Sequence, residues 1–315
     1  MNLVSIPANP APADGVVGVL KTPDGVALRF ARWPPPTGRK GTVCLFQDRA
    51  EFIEKYFEVV RDLHARGFAV VTLDWRGQGL SQRLTRDPYK GHVRRFADYL
   101  TDLEAFMKDV VLPDCPPPFF ALGQGMGATV LIQSAGRGHR WFERSVLSAP
   151  MIGLGQSSLL GAGPAIARAL QLLGFGRLYV PGGGPTPSAA APFAGNLMTS
   201  DPVRYARTAA ILEAKPALGV GAPTIGWVST AFRTMAALQQ PSYAARLAQP
   251  MLLLAAANDH LMSLAAIEDF TWNLRAGSHL IVPGAMHELL MEQDQYRQLF
   301  WAAFDAFVPG TPLFS

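Results

Sequence analysis

The chain has 315 residues, 49% of them hydrophobic and 17% charged, so it can bury a large core as one elaborated domain or two small ones. The formal net charge is +4, from 28 basic and 24 acidic residues that are interleaved, and this pattern does not predict nucleic-acid binding. Two cysteines are too few for a disulfide framework, and no apolar run reaches the roughly 18 residues of a membrane span.

The first residues, 1–14, are rich in alanine and proline and predict a flexible N-terminus. They lack a basic stretch followed by a long apolar run, which a secretory signal would have. We therefore expect a cytoplasmic protein. The positive net charge is compatible with peripheral contact with an anionic membrane surface, and the sequence leaves the oligomeric state open.

Apolar runs and turn residues predict the elements of the N-terminal half. Two short strands, 16–20 and 26–32, flank Asp24-Gly25 and predict a β-hairpin. Buried strands and helices then alternate: a strand at 42–46, a helix at 52–63 closed by Arg66-Gly67, a strand at 68–73 and a helix at 96–111.

The segment from Phe119 to Gly127 has the pattern of a strand that enters a helix through a tight turn. α/β-Hydrolases display their nucleophile at such a turn, in a Gly-x-Ser-x-Gly pattern whose glycines let strand and helix pass closely. Here Gly123 and Gly127 flank Gly125, which stands where the serine is expected. A dinucleotide-binding turn is the alternative, but it would belong to the first βα unit with an acidic residue about 20 residues later.

The C-terminal half contains a long insertion between core strands. After a strand at 145–148, residues 151–247 are rich in Gly, Pro and Ala, and strands return at 251–255 and 278–282, with helices at 264–274 and 293–307. Alternating strands and helices predict an α/β fold with a mostly parallel sheet flanked by helices. We assign residues 15–150 and 248–309 to the core and residues 151–247 to a cap.

Two late loops carry an acid and a histidine. Asp259 follows the strand at 251–255, and His287 follows the strand at 278–282. Because parallel strands place their sites at their carboxyl ends, both side chains are expected near Gly125. A carboxylate there would fix the imidazole tautomer and stabilise the ring when it takes a proton. The chain order matches that of a Ser-Asp-His site from which the serine is missing.

These features resemble the α/β-hydrolases of the bacterial lysophospholipase and monoacylglycerol-lipase branch. The resemblance extends from about Val16 to Val308 and includes Glu51-Phe52-Ile53-Glu54-Lys55-Tyr56, Asp74-Trp75-Arg76-Gly77-Gln78-Gly79, Leu147-Ser148-Ala149-Pro150, Asn196-Leu197-Met198-Thr199-Ser200-Asp201-Pro202, Pro223-Thr224-Ile225-Gly226-Trp227 and His287-Glu288-Leu289-Leu290-Met291-Glu292. It implies the α/β-hydrolase fold with an inserted cap. It also implies hydrolysis of small-molecule or lipid-like carboxylic esters.

The site residues implied by the resemblance carry over only in part. Asp259 and His287 match the acid and the base, and the backbone N–H of Met126 matches one oxyanion donor. With Gly125 at the nucleophile position, covalent serine catalysis is excluded, because loss of the serine from such a triad costs about a million-fold in turnover. Gln124 replaces the usual histidine before the nucleophile.

The loop after the strand at 42–46 is a second departure. Family members have a His-Gly or similar small pair there, whereas this chain has Gln47-Asp48-Arg49, which puts Gln47 at the second oxyanion donor. A carboxylate of Asp48 pointing inward would oppose the negative charge of acyl transfer. Alternatively, Asp48 turns away and pairs with Arg49 or Arg76.

The remaining candidates concern the ligand. Gln124, Trp227 and Phe232 are candidate substrate contacts. We expect no metal, because the six histidines are scattered and His-x-x-x-His spacing is absent, and no cofactor.

Three hypotheses about function stay open. The chain is a lipid-ester hydrolase that has lost turnover, a non-serine enzyme in which His287 and Asp259, with Asp48, activate water or move a proton, or a non-catalytic lipid-binding protein. A single substitution of the nucleophile is enough to remove serine catalysis from an enzyme. Two departures, Gly125 and Asp48, favour natural divergence.

Overall fold

The computed structural model describes residues 2–35, 40–155 and 162–308, and within them eight strands form one sheet. The strand order is β1-β2-β4-β3-β5-β6-β7-β8, with β3 to β8 mutually parallel and the hairpin β1-β2 antiparallel at one edge. The strands are β1 (Val16–Lys21), β2 (Ala27–Trp33), β3 (Thr42–Phe46), β4 (Ala69–Leu73), β5 (Phe119–Gln124), β6 (Arg144–Ser148), β7 (Met251–Ala256) and β8 (Gly277–Val282). This confirms the predicted fold class, and all eight strands lie where the sequence predicts them, within one or two residues.

The predicted hairpin forms because its turn residues satisfy each other. Thr22 Oγ1 donates to Asp24 Oδ1 at 2.6 Å, and the N–H of Gly25 donates to the carbonyl of Thr22 at 2.8 Å. Gly25 has a φ of 87°, a conformation that glycine adopts at little cost. The hairpin covers one edge of the sheet.

The helices pack on both faces of the sheet. They are α1 (Phe57–Ala65), α2 (Asp98–Phe106), α3 (Leu112–Asp114), α4 (Gly125–Gly136), α5 (Gly163–Leu172), α6 (Pro202–Ala214), α7 (Ile225–Leu238), α8 (Pro241–Ala245), α9 (Leu264–Trp272) and α10 (Asp294–Phe307). The helix predicted at 96–111 begins at Asp98, and its last turn, Met107–Val111, is a π-helical segment that joins α2 to α3. None of the helices in the described ranges is both long and apolar enough to cross a bilayer.

The apolar side chains form one cluster on each face of the sheet. One cluster joins α2, α4 and α7 to the strands, with Phe46, Phe106 and Leu131 inside it. The other joins α1 and α10, with Phe57 and Phe300 fully buried. Because β3 and β4 are buried along their whole length, they are apolar except for Thr42 and Thr72.

Residues 2–14, whose flexibility stays a prediction, make hydrogen bonds to the core. The N–H of Val4 donates to Glu54 Oε1, and the side chain of Asn9 donates to the carbonyl of Glu54 at 2.8 Å. The indole N–H of Trp33 donates to the carbonyl of Pro12. Alanine and proline content alone does not reveal these partners, because they come from distant parts of the chain.

The segment between β6 and β7, residues 149–250, carries α5 to α8 and contacts the core loops. Gly221 donates its N–H to the carbonyl of Tyr89 at 2.8 Å, and Thr224 donates to the carbonyl of Gly91 at 2.9 Å. Helix α6 begins where Asp201 accepts two backbone N–H groups of its first turn. The role of this segment as a cap stays a prediction.

Candidate active site

The turn between β5 and α4 leaves no room for a side chain at its two flanking glycines. A Cβ on Gly123 would lie 2.7 Å from the Cα of Ala128, and one on Gly127 would lie 2.4 Å from the carbonyl oxygen of Phe46. Gly125 itself has a φ of 49°, in the left-handed region. The predicted tight turn is therefore present, and Gly125 lies at its tip as the first residue of α4.

The loops after β7 and β8 bring an acid and a histidine together at this turn. Asp259 Oδ2 lies 2.7 Å from His287 Nδ1, and Asp259 Oδ1 accepts the N–H groups of Leu261 and Met262 at 2.8 and 2.9 Å. The imidazole is fully buried. The contacts of Asp259 fix both the position of the carboxylate and the orientation of the ring.

Asp48 points into the site. Its Oδ2 lies 3.1 Å from His287 Nε2, and its Oδ1 accepts the backbone N–H of Met126 at 2.6 Å. An ideal Cβ on Gly125 would lie 2.2 Å from the Asp48 Cγ. The carboxylate of Asp48 thus fills the space in which a side chain at position 125 would lie.

The alternative prediction, that Asp48 turns away and pairs with Arg49 or Arg76, is wrong. Arg76 pairs with Asp24 and Asp102, and Arg49 donates to the carbonyl of Gly221 at 3.0 Å. Both guanidinium groups are therefore engaged elsewhere, and within the described ranges no ion pair joins either of them to Asp48.

A buried network holds the Asp48 loop in place. The N–H of Asp48 donates to Glu51 Oε2 at 2.7 Å, and Lys55 pairs with Glu51 and Glu288 at 2.6 and 2.7 Å. Burial is the main cause that raises the pKa of Glu51, to about 7, although Lys55 opposes the shift. Glu51 thus connects the Asp48 loop, through Lys55, to Glu288, the residue after His287.

The charges in the site favour an imidazolium between two carboxylates. Burial by itself would lower the pKa of His287, but its hydrogen bonds to Asp259 and Asp48 and their negative charges outweigh burial and raise that pKa well above its usual value. Burial likewise opposes ionisation of Asp48, yet the contacts with His287 and with the N–H of Met126 lower the pKa of Asp48. This arrangement favours the protonated ring, in which both nitrogens can donate.

This arrangement differs from a serine acyl-transfer site at three points. A serine mechanism needs a hydroxyl, a neutral imidazole to take its proton and free N–H donors for the oxyanion. Here position 125 has no side chain, two carboxylates contact the imidazole, and the N–H of Met126, the predicted oxyanion donor, already donates to Asp48. The N–H of Met126 and the imidazole of His287 instead bind a carboxylate, that of Asp48.

The other predicted residues differ in how close they come to this centre. Gln124 Nε2 donates to the backbone carbonyl of His287 at 3.1 Å, so Gln124 supports the histidine loop. The side chain of Gln47 instead points to β4 and donates to Thr72 Oγ1 at 3.0 Å. Among the described residues, no hydrogen bond joins the side chain of Gln47 to Asp48 or His287, and the role of Gln47 as an oxyanion donor stays a prediction.

Two of the three predicted ligand contacts, Trp227 and Phe232, lie on α7. The indole N–H of Trp227 donates to the hydroxyl of Tyr99 at 3.0 Å, and the guanidinium carbon of Arg49 lies 5.6 Å from the indole centroid. Phe232 is partly buried against the core cluster that includes Trp227. Both residues pack within the protein, and contact with a ligand stays a prediction.

A small cavity of about 30 Å³ lies beside the site, between the Asp48 loop and the β6–β7 segment. Its lining includes Arg49, Lys55, Met198, Tyr205 and Glu288. This volume holds roughly two waters at about 10–15 Å³ each, so an acyl chain would have to displace lining side chains. Among the described residues, no three His, Cys, Asp or Glu side chains group as a metal site requires.

Sequence reasoning did not assign the supporting residues. Glu51 and Glu288 lie in motifs that resemble the family, but nothing in those motifs says that Glu51 accepts the N–H of Asp48. The amides of Leu261 and Met262 were also missed, although an aspartate two and three residues earlier is a known signal for such a turn.

Comparisons with known proteins identify the relatives of this chain. Residues 37–294 match the family described as serine aminopeptidase, S33. The chain is 31% identical to lysophospholipase L2 of Escherichia coli over 88% of this chain and 82% of that protein, and 25% identical to a monoacylglycerol lipase of Mycolicibacterium smegmatis over 86% and 89%. Its fold is similar to that of a soluble variant of monoglyceride lipase from Saccharomyces cerevisiae, with a TM-score of 0.74, 18% identity and coverage of 93% and 96%.

Proposed function

Since this chain belongs to the serine aminopeptidase S33 family of α/β-hydrolases, in the lysophospholipase and monoacylglycerol-lipase-like branch, we propose that it binds lipid-like ligands without hydrolysing esters through a serine. Gly125 occupies the position of the nucleophile, and the site binds the ligand instead of hydrolysing it. The segment 151–247 acts as the cap over it.

One observation carries this proposal: the carboxylate of Asp48 contacts both groups that a serine hydrolase needs free. It accepts from His287 Nε2 at 3.1 Å and from the N–H of Met126 at 2.6 Å. In a comparable triad, loss of the serine alone costs about a million-fold in turnover. A blocked oxyanion donor costs about another 3 kcal/mol.

The charge of His287 argues against the non-serine enzyme in which this histidine activates water. A general base must be unprotonated at the working pH, whereas two carboxylates hold His287 in its protonated form. An acid–base cycle would first have to remove Asp48 from Nε2. A binding role requires no such step.

The proposal is tested by rebuilding the serine site. We expect the wild type to hydrolyse short p-nitrophenyl esters and lysophospholipid at the rate of the buffer blank. Gly125→Ser alone should stay inactive, because the seryl Cβ would lie 2.2 Å from the Asp48 Cγ. Gly125→Ser combined with Asp48→Gly removes that clash and frees the N–H of Met126, and it should raise turnover by at least about 10³-fold.

Two controls sharpen this test. The double variant Gly125→Ala with Asp48→Gly opens the same space without a hydroxyl and should remain at the blank. Adding His287→Ala to the active double variant should abolish the gain. Ester turnover by the wild type that survives in Asp48→Asn and Gly125→Ala would overturn the proposal, and no gain in the double variant would remove the hydrolase-like pocket for these substrates.

A further inference from the structure

We propose that the site at Gly125 is a carboxylate receptor whose resident ligand is the side chain of Asp48, and that it accepts the carboxylate of a fatty acid in its place. This deepens the proposed function, on which it rests, by naming the chemical group of the ligand. The donors face one point from two independent elements: the N–H of Met126 at the start of α4 and Nε2 of His287 after β8.

The donor set matches the two oxygens of a carboxylate. Each oxygen of Asp48 has its own donor, at 2.6 Å for Oδ1 and 3.1 Å for Oδ2. Helix α4 adds the positive end of a twelve-residue helix to the charge of the imidazolium. An ester carbonyl offers one acceptor oxygen and no charge, so this donor set favours the acid over the ester.

Space and surrounding charge point the same way. The missing Cβ of Gly125 leaves room for the Asp48 carboxyl, so without Asp48 the spaces of both side chains would open together. The side chain of Asp48 keeps 12% of its surface exposed, whereas His287 has none, so the exposed side of the receptor is at the carboxylate. Arg49, the next residue, makes one hydrogen bond to Gly221 and stacks on Trp227. It adds a cation near the point of entry.

A ligand has to compete with the side chain of Asp48, which fills the site. An attached carboxylate competes with a free one at a high effective concentration, set by its tether to β3. The loop of Asp48 depends on Glu51 and Lys55, which line the adjoining small cavity. An acyl chain that enters this cavity would displace its lining, and a carboxylate at its end could then replace Asp48.

The test compares sodium decanoate with decanol on the full-length protein by calorimetry, while nitrogen-15 NMR follows the His287 ring. In Asp48→Gly we expect decanoate to bind at least about 10-fold more tightly than decanol and at least about 10-fold more tightly than to the wild type. Sodium acetate alone should shift the His287 ring signals of this variant back toward those of the wild type, since it restores a carboxylate at Nε2.

Asp48→Asn is the matched control, because it fills the same space without the charge and should not gain decanoate binding. Asp48→Ala is a second open variant should Asp48→Gly unfold, and thermal unfolding verifies both. Equal affinity of the open variants for decanoate and decanol, or no response of the His287 ring to acetate, would overturn the inference. Neither result bears on the recovery of ester turnover, so the two proposals can fail separately.

Discussion

The site has two halves, the loop after β7 with Asp259 and the loop after β3 with Asp48, and they position their carboxylates in different ways. After β7, Asp259 accepts two amide N–H groups of its own loop in addition to the imidazole, so its position is determined locally. After β3, the carboxyl oxygens of Asp48 accept from more distant elements: the N–H of Met126 after β5 and the imidazole of His287 after β8. The first half has the acid and histidine pair that the sequence predicts, whereas in the second half the carboxylate of Asp48, from a neighbouring strand, fills the space at Gly125.

The difference shows that the space above the turn is shared between two loops. A side chain at 125 and a carboxylate at 48 cannot occupy it together, because their atoms would lie within 2.2–2.4 Å. Gly125 and Asp48 are therefore interdependent, even though 77 residues separate them in the sequence. We expect variants in the second half to show strong coupling and variants in the first half to act more independently.

The largest effect on stability should come from Gly125→Ala. The added Cβ must displace the Asp48 carboxyl from two charge-assisted hydrogen bonds and accept a φ of 49°. We expect a loss of about 2–4 kcal/mol in the free energy of unfolding, measured by urea denaturation. In an Asp48→Gly background the same change should cost about 1 kcal/mol, which is the backbone strain alone. Equal costs in both backgrounds would contradict the shared-space interpretation.

A second effect separates the two carboxylates through the pKa of His287. Asp259 lies at 2.7 Å and Asp48 at 3.1 Å, and both raise that pKa. Asp259→Asn should therefore lower the pKa of the ring more than Asp48→Asn does, as followed by NMR titration of the imidazole. A larger decrease of the His287 pKa in Asp48→Asn than in Asp259→Asn would show that Asp48 raises this pKa more than Asp259 does.

The dependence of stability on pH should divide into two windows. The pKa of His287 is higher in the folded state than the unfolded value of about 6.5, so its stabilising contribution is full below about pH 6.5 and is lost as the pH rises through the folded pKa. Glu51 has a raised pKa of about 7, so it favours the folded state at low pH and loses that contribution between about pH 4.5 and 7.

Urea denaturation over a pH series measures both windows. Asp48→Asn should flatten the decline above about pH 7, and Glu51→Gln should flatten the decline below it, with slopes of at most about 1.4 kcal/mol per pH unit for one proton. A wild-type stability that rises between pH 7 and 9 would contradict a protonated His287.

The smallest effect is expected for Gln124→Ala. It removes one hydrogen bond, from Gln124 Nε2 to the carbonyl of His287 at 3.1 Å, and should cost about 1 kcal/mol in stability. Because the imidazole nitrogens keep their carboxylates, the pKa of His287 should remain at the wild-type value. An NMR titration of this variant serves as the control for the Asp48 and Asp259 variants.

The sequence determined the fold and the meeting of the loops. Periodicity and turn residues predict all eight strands, and Asp259, His287 and Gly125 are predicted to meet because sites lie at the carboxyl ends of parallel strands. These predictions succeed because burial of apolar strands and the geometry of parallel crossovers depend on local pattern. The order of the residues along the chain carries that information.

Only the tertiary structure decided the direction of Asp48, the partners of Gln47 and the contacts of residues 2–14. Each of these depends on donors and acceptors far away in the chain: the N–H of Met126 for Asp48, Thr72 for Gln47 and Glu54 for Asn9. A carboxylate beside an arginine in sequence pairs as readily with it as with a distant imidazole until the positions of both are fixed. Hydrogen bonds are short-ranged and directional, so a choice between such partners is made by packing and not by sequence neighbourhood.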